Sequence, residues 1–274
     1  MQRLAQALAV LCSTPMFLAL SLITAGLYLG SLLTARRPTL APPLAGAAVA
    51  GHAIVLITAL LGDGALRIGV SEALSLVSWQ SAALLFLLCL RQPLNALRPA
   101  IYTLAAICVL CAALWPSPTS ANPIGDWRIQ LHVVLSILSS GLLTLAVAQA
   151  LVLAAQDRFL HRHKDAWLQR NLPPLQTMES LLFTLLAVGL FLLSLTLITG
   201  LLFIDNLFAQ HLAHKTVLSM CAWIILAVLL WGRWRFGWRG RTAIRWTIAG
   251  YSVLILAYFG SKIVLELLLN RHWS

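Results

Sequence analysis

The sequence predicts an all-α integral membrane protein, a bundle of eight transmembrane helices with both termini outside. Three observations carry this expectation. Of the 274 residues, 60% are hydrophobic and 10% charged, with a mean hydropathy of +0.89, whereas soluble domains are nearer half apolar and a quarter charged. The apolar residues are gathered into runs long enough, as helices, to cross a hydrocarbon core that needs about 20 residues. The cationic residues fall in alternate links between those runs, as the positive-inside rule requires.

The first run covers about residues 8–33, after Arg3, and closes on Arg36 and Arg37. It is too long for a signal peptide and has no persuasive small-residue cleavage site. The second, about 41–61, follows Pro42 and Pro43 at its start and ends in the turn Gly62-Asp63-Gly64. The third and fourth, about 70–90 and 99–115, are joined through Arg91 and Arg98. The polar link WPSPTSANPIGDWR leads to the fifth, about 129–155, and the hydrophilic stretch 156–177 breaks at Pro173-Pro174 before the sixth, about 180–203. The last two, about 215–231 and 243–268, flank a basic loop with Arg233, Arg235, Arg239 and Arg241. Residues 1–274 thus read as a single polytopic membrane domain.

Thirteen of the nineteen Lys and Arg lie in the first, third, fifth and seventh links: Arg36, Arg37, Arg91, Arg98, Arg158, Arg162, Lys164, Arg170, Arg233, Arg235, Arg239, Arg241 and Arg245. The other side holds Arg3, Arg67, Arg128, Lys215, Lys262 and Arg271. The asymmetry predicts that the odd links are cytoplasmic. A net charge of +11 without a basic face or stacking motif does not indicate nucleic acid; the arginines between apolar runs face anionic lipid.

Several histidines fall where chemistry is expected. His132 opens the fifth run and His214 the seventh, both on the outer side, and His272 lies near the end of the chain. Neutral imidazole is a common iron ligand, and two can hold a heme axially; interfacial polar residues at helix starts fit the same spacing. His52 lies ten residues before Gly62, roughly 15 Å into the membrane. At that depth it is a functional candidate, or a neutral residue bonded to a neighbouring helix. His161 and His163 belong to a charged, solvated stretch.

The five cysteines, Cys12, Cys89, Cys108, Cys111 and Cys221, all lie in apolar runs. Cys108 and Cys111 have redox-motif spacing without the electropositive, partly exposed setting of a reactive thiolate, so packing is expected. There is no CxxCH motif, phosphate-binding glycine loop or HExxH helix, and no enzyme activity is expected. Lys262 and Glu266 have the spacing of an ion pair on one helical face. A solute transporter would show paired broken helices in two similar halves, which are missing here.

The segments RIGVSEALSLVSW (67–79), LHVVLSILSSGLLTLAVAQALVL (131–153), NLPPLQTMESLLF (171–183), and HKTVLSMCAW followed by GWRGRTAIRWTIAGYSVLILAYFGSK (214–262) resemble the cytochrome c assembly membrane proteins of the CcsA type, in the shorter HemX/YpjD-like branch. The resemblance implies a heme-handling bundle in the bacterial inner membrane, with the helix that begins at His132 bearing an outward-facing heme ligand. Lys215, Trp223 and the GWRGR loop fall where similar residues recur in that family. Three departures accompany it. IDNLFAQHLAHK stands where the full synthetases carry a tryptophan-rich WWD segment, Trp231 stands where larger members have an intramembrane His, and the family's final outer His aligns near Leu269, close to His272. The expected function is therefore an accessory, non-catalytic role in binding or handling heme. The candidate cofactor-binding residues are His132, His214, His52 and His272, and the first two are candidate ligands of heme iron. Expected partners are membrane lipid and other cytochrome assembly or tetrapyrrole-pathway proteins. The alternative is a regulatory or scaffold partner without heme.

Overall fold

The computed structural model describes residues 14–35, 37, 39–61, 70–90, 94–115, 127–162, 174–203 and 210–260. All regular structure among them is helical. The long helices are α1 (Thr14–Leu33), α2 (Ala41–Leu61), α3 (Val70–Cys89), α4 (Arg98–Leu114), α5 (Trp127–Arg162), α6 (Leu175–Phe203), α7 (Gln210–Phe236) and α8 (Gly240–Ile255). Seven of these elements are long and apolar enough to cross a membrane. The exception is α8, with 16 residues before a wider turn over Leu256–Gly260; the rest of the run 243–268 lies outside the described residues. Large apolar side chains such as Leu22, Ile23, Leu87, Ile107, Phe191 and Leu202 are exposed along the helices, as expected where lipid is the solvent.

The chain forms two compact units, Met1–Gly125 and Asp126–Ser274. In the first, α1 packs on α2 and α4, and α3 on the same two helices, making a ring of four. Close approach uses small residues: a Cβ at Gly51 of α2 would lie 2.9 Å from Thr24 Oγ1 of α1. The Trp79 indole of α3 donates to the Val49 carbonyl of α2 at 2.9 Å. Arg98 opens α4 with Pro99 in its first turn, where the missing N–H has no intrahelical partner to lose.

The second unit repeats the arrangement: α5 packs on α6 and α8, and α7 packs on the same pair. The α5–α6 pair is antiparallel and notched by glycine. A Cβ at Gly189 would lie 2.8 Å from Leu143 Cδ2, and one at Gly200 would lie 3.2 Å from His132 Cε1. Those glycines are eleven residues apart, close to three helical turns, so both notches fall on one face of α6. Ser139 donates to the Gly189 carbonyl at 3.1 Å, and the Gln149 amide to the Met178 carbonyl at 2.9 Å.

Several helices run past their apolar runs. The fifth, expected over 129–155, extends through 36 residues, because a helix that has left lipid can continue in polar sequence. The sixth begins at Leu175 rather than Ser180: the Pro174 carbonyl accepts from the Thr177 and Met178 amides at 2.9 and 3.2 Å, so the proline starts the helix directly. Arg233 and Arg235, expected in a loop, form the last turn of α7, where cations oppose the negative end of the helix dipole. That helix ends at Gly237, at φ 68°, whose amide still bonds the Arg233 carbonyl at 3.1 Å. This left-handed cap favours glycine, and only residues 237–239 separate α7 from α8.

Candidate functional site: a half-buried histidine at the α5–α6 end

His132 lies in the second turn of α5, on the face turned to α6, and is partly exposed. Its Nδ1 is 3.2 Å from the Thr199 hydroxyl, and its Nδ1–Cε1 edge rests against Gly200, where a Cβ would come within 3.6 and 3.2 Å. Thr199 and Gly200 belong to the last turns of α6. One turn before His132 stands Arg128, whose guanidinium carbon is 6.0 Å from the ring centres of both Trp127 and Phe203. Those two rings meet edge to face at 6.0 Å and 61°, and Trp127 is 62% exposed. The end of this helix pair therefore gathers an imidazole, two aromatic rings and a guanidinium.

The other candidate histidines are placed differently. His52 is fully buried, and both its nitrogens are engaged: Nδ1 lies 3.3 Å from the Tyr28 hydroxyl and Nε2 lies 2.8 Å from the Ser75 hydroxyl. Tyr28 also packs edge-on against the imidazole at 5.8 Å and against Tyr102 at 5.5 Å. These contacts bind α1, α2, α3 and α4 together. His214 lies in the second turn of α7, with its side chain outside the described residues, and His272 lies outside them altogether. The helices of His132 and His214 each pack mainly on α6 and α8. The two residues thus belong to opposite corners of the four-helix ring.

Cys108 is buried and Cys111 half-buried within α4, and both are free thiols, as are Cys89 and Cys221; Cys12 lies outside the described residues, as do Lys262 and Glu266. Trp223, a residue of the family resemblance, donates its indole N–H to the Ser194 hydroxyl at 2.8 Å. Trp231 packs edge-on against Phe236 at 5.3 Å.

At the other end of the second unit, Glu179 of α6 accepts the Gly240 amide at 2.7 Å and so satisfies a free N–H at the start of α8. Arg241 donates to Asp157 of α5 at 3.1 Å. The Arg233 guanidinium lies 4.6 Å from the Phe183 ring centre and donates to the Trp238 carbonyl at 3.3 Å. Together these contacts tie the GWRGR turn to the ends of α5 and α6. Among the described residues, no three His, Cys, Asp or Glu converge as a bare metal ion would require.

Sequence reasoning identified His132 and missed Thr199, Gly200, Phe203 and the use made of Arg128. One signal was available: Arg128 and His132 are four apart and share a helical face. The α6 partners are 67 residues away from His132 in the Thr199 contact, and no local pattern pairs them.

The family model for cytochrome C assembly protein matches residues 67–269. The inner membrane protein YpjD of Escherichia coli (strain K12) is 36% identical over 219 residues, covering 79% of this chain and 83% of that protein. A 28.8 kDa uncharacterized protein from the nifR3-like 5' region of Azospirillum brasilense is 32% identical over 176 residues, covering 64% of this chain and 65% of its own length. No solved structure matches significantly. With its apolar helices and these relatives, the chain is a multi-pass protein of the bacterial inner membrane. It belongs to the cytochrome c assembly protein family.

Proposed function

We propose that this protein binds heme at the α5–α6 end, in an accessory role within cytochrome c assembly. The observation that carries the reading is the His132 constellation: a partly exposed imidazole with one nitrogen held by Thr199, beside Trp127, Phe203 and Arg128. A bound heme would supply an iron that takes imidazole ligands, a flat apolar macrocycle and two carboxylates. The residues present suit each feature. His132 offers a ring nitrogen, Gly200 leaves room beside the ring, Trp127 and Phe203 offer aromatic surface, and the Arg128 guanidinium suits a carboxylate.

His214, at the corresponding end of α7 by chain direction, is the candidate second ligand. A shared iron requires neighbouring helices with ring nitrogens about 4 Å apart, at about 2 Å per bond by analogy with other His–metal sites; α5 and α7 sit at opposite corners of the ring, so His132 carries the reading. His52, with both nitrogens bonded inside the first unit, is a packing residue in this reading. The role is accessory because IDNLFAQHLAHK replaces the tryptophan-rich segment. The arginine distribution supports an eight-span topology with both termini outside and this end of the bundle on the non-cytoplasmic side. Reporter fusions should then show Lys164 and Arg239 inside and Ser274 outside; alkaline phosphatase activity at Lys164 would reverse the assignment.

The function is tested by absorbance of detergent-purified protein with and without added hemin. The expected result is a shifted heme band in the wild type that His132→Ala removes at unchanged protein yield. A wild type that leaves the hemin spectrum as that of free hemin would overturn the reading in favour of a regulatory or scaffold partner without heme.

A further inference from the structure

The Thr199 hydroxyl has one proton to give. Its oxygen lies 2.9 Å from the Leu195 carbonyl and 3.0 Å from the Thr196 carbonyl, and carbonyl oxygens only accept. The proton is thereby committed to the backbone of α6, the usual habit of a helical threonine. What the hydroxyl can still offer to His132 is a lone pair. At 3.2 Å, Nδ1 can complete that contact only as a donor.

We infer that the end of α6 fixes the proton of neutral His132 on Nδ1, with the Thr199 hydroxyl as a positioning acceptor beside the Thr196 backbone, which also hydrogen-bonds the ring, and that Nε2 is the ligand-facing nitrogen. A neutral imidazole carries one N–H, so an Nδ1 proton leaves a lone pair on Nε2. The opposite tautomer would set two lone pairs face to face, or would turn the hydroxyl away from its carbonyls. The Gly200 contact gives the direction: the Nδ1–Cε1 edge lies on α6, so the Nε2 and Cδ2 side of the ring faces away from it. The end of α6 thus sets the proton and Gly200 lets the ring lie where Thr199 can reach it. The arrangement is that of a metal-ligating histidine whose second nitrogen is oriented by a hydrogen-bond acceptor. The inference deepens the heme reading of this site and rests on it for its purpose, but the tautomer is a property of the chain alone.

The test is nitrogen NMR of the full-length, detergent-solubilised protein with ¹⁵N-labelled histidine and no heme, the His132 signals being those lost in His132→Gln. The wild type should show a protonated Nδ1 and a bare Nε2. Thr199→Val, close in shape but without the hydroxyl acceptor, should lower the share of Nδ1–H, the Thr196 backbone remaining as a partner, whereas Thr199→Ser should keep the wild-type pattern. Hemin titration should then weaken about tenfold in Thr199→Val and stay near wild type in Thr199→Ser. An Nε2–H tautomer in the wild type overturns the inference whatever the protein does with hemin. So does a Thr199→Val protein that matches the wild type in both measurements. A wild type with Nδ1–H that binds no hemin supports the tautomer assignment and overturns the heme reading. Should Thr199→Val fail to fold, the wild-type spectrum alone decides the matter.

Discussion

Among the described residues, the two four-helix units each hold one histidine bonded across helices, and the two are bonded in different ways. In the first unit, His52 has no exposed surface, and hydroxyls from α1 and α3 occupy its two nitrogens. In the second, His132 is partly exposed, and the Thr199 hydroxyl lies at Nδ1. An imidazole with both nitrogens bonded to other helices is a cross-link, whereas the His132 ring meets α6 through its Nδ1–Cε1 edge and is partly exposed. Depth alone does not separate the two roles: the histidine nearer the membrane centre is the structural one. Intramembrane ionisable residues are functional candidates by default; under the proposed function, the two hydrogen bonds of His52 make it a cross-link.

Substitutions can break or sharpen this contrast. The largest effect on stability is expected from His52→Ala, which opens a cavity and strips partners from Tyr28 and Ser75; the loss should be about 3 kcal/mol, read by thermal unfolding in detergent. Hemin binding at the second unit should be unchanged in that variant, and a lost heme band would assign His52 to the site. Next comes Gly189→Ala, whose Cβ would lie 2.8 Å from Leu143 Cδ2; overpacking should cost about 2 kcal/mol. The mirror of His52→Ala is His132→Ala, which should weaken hemin binding about tenfold or more, about 1.4 kcal/mol, with a melting temperature close to wild type. A variant that melts much earlier would make His132 a second cross-link. The smallest effect belongs to Glu179→Gln, which keeps an acceptor for the Gly240 amide but removes the charge from the start of α8, at a cost of about 0.5 kcal/mol that should shrink in high salt.

The lipid-facing runs were legible in the sequence because hydrophobic length is a local property: α2 to α4 begin and end close to the expected residues, and α1 ends at Leu33 as expected, residues 8–13 of that run lying outside the described residues. The ends in water were not. In α5, polar residues prolong the helix to Arg162, and α7 runs on through Arg233 to Gly237, because helices end at caps rather than at the limit of the apolar core. His132 was legible as a candidate by type and position, and the spacing of Arg128 from it was there to be read. Thr199 and Gly200 were not, because a threonine and a glycine near the end of an apolar run look the same whether they support an imidazole or face lipid. The roles of Tyr28 and Ser75 beside His52 were hidden for the same reason: the contacts cross 24 and 23 residues of sequence. The Glu179–Gly240 cap, 61 residues apart, joins an acid and an amide that no linear pattern connects.

The glycine notches of α6 also act as a vernier. Leu143 seated at Gly189 sets the axial position of α5 against α6, and eleven residues further along, about 16 Å away, the same setting decides whether the imidazole of His132 meets the hydroxyl of Thr199. A slip of one residue would move the two helices by about 1.5 Å, more than the tolerance of a hydrogen bond, and rotate each side chain away from its mate. The ring nitrogen at one end of the helix pair is thus held in register by an apolar contact near its middle, and the orientation of a polar group at the membrane surface is written into the steric fit of a leucine deep in the bundle.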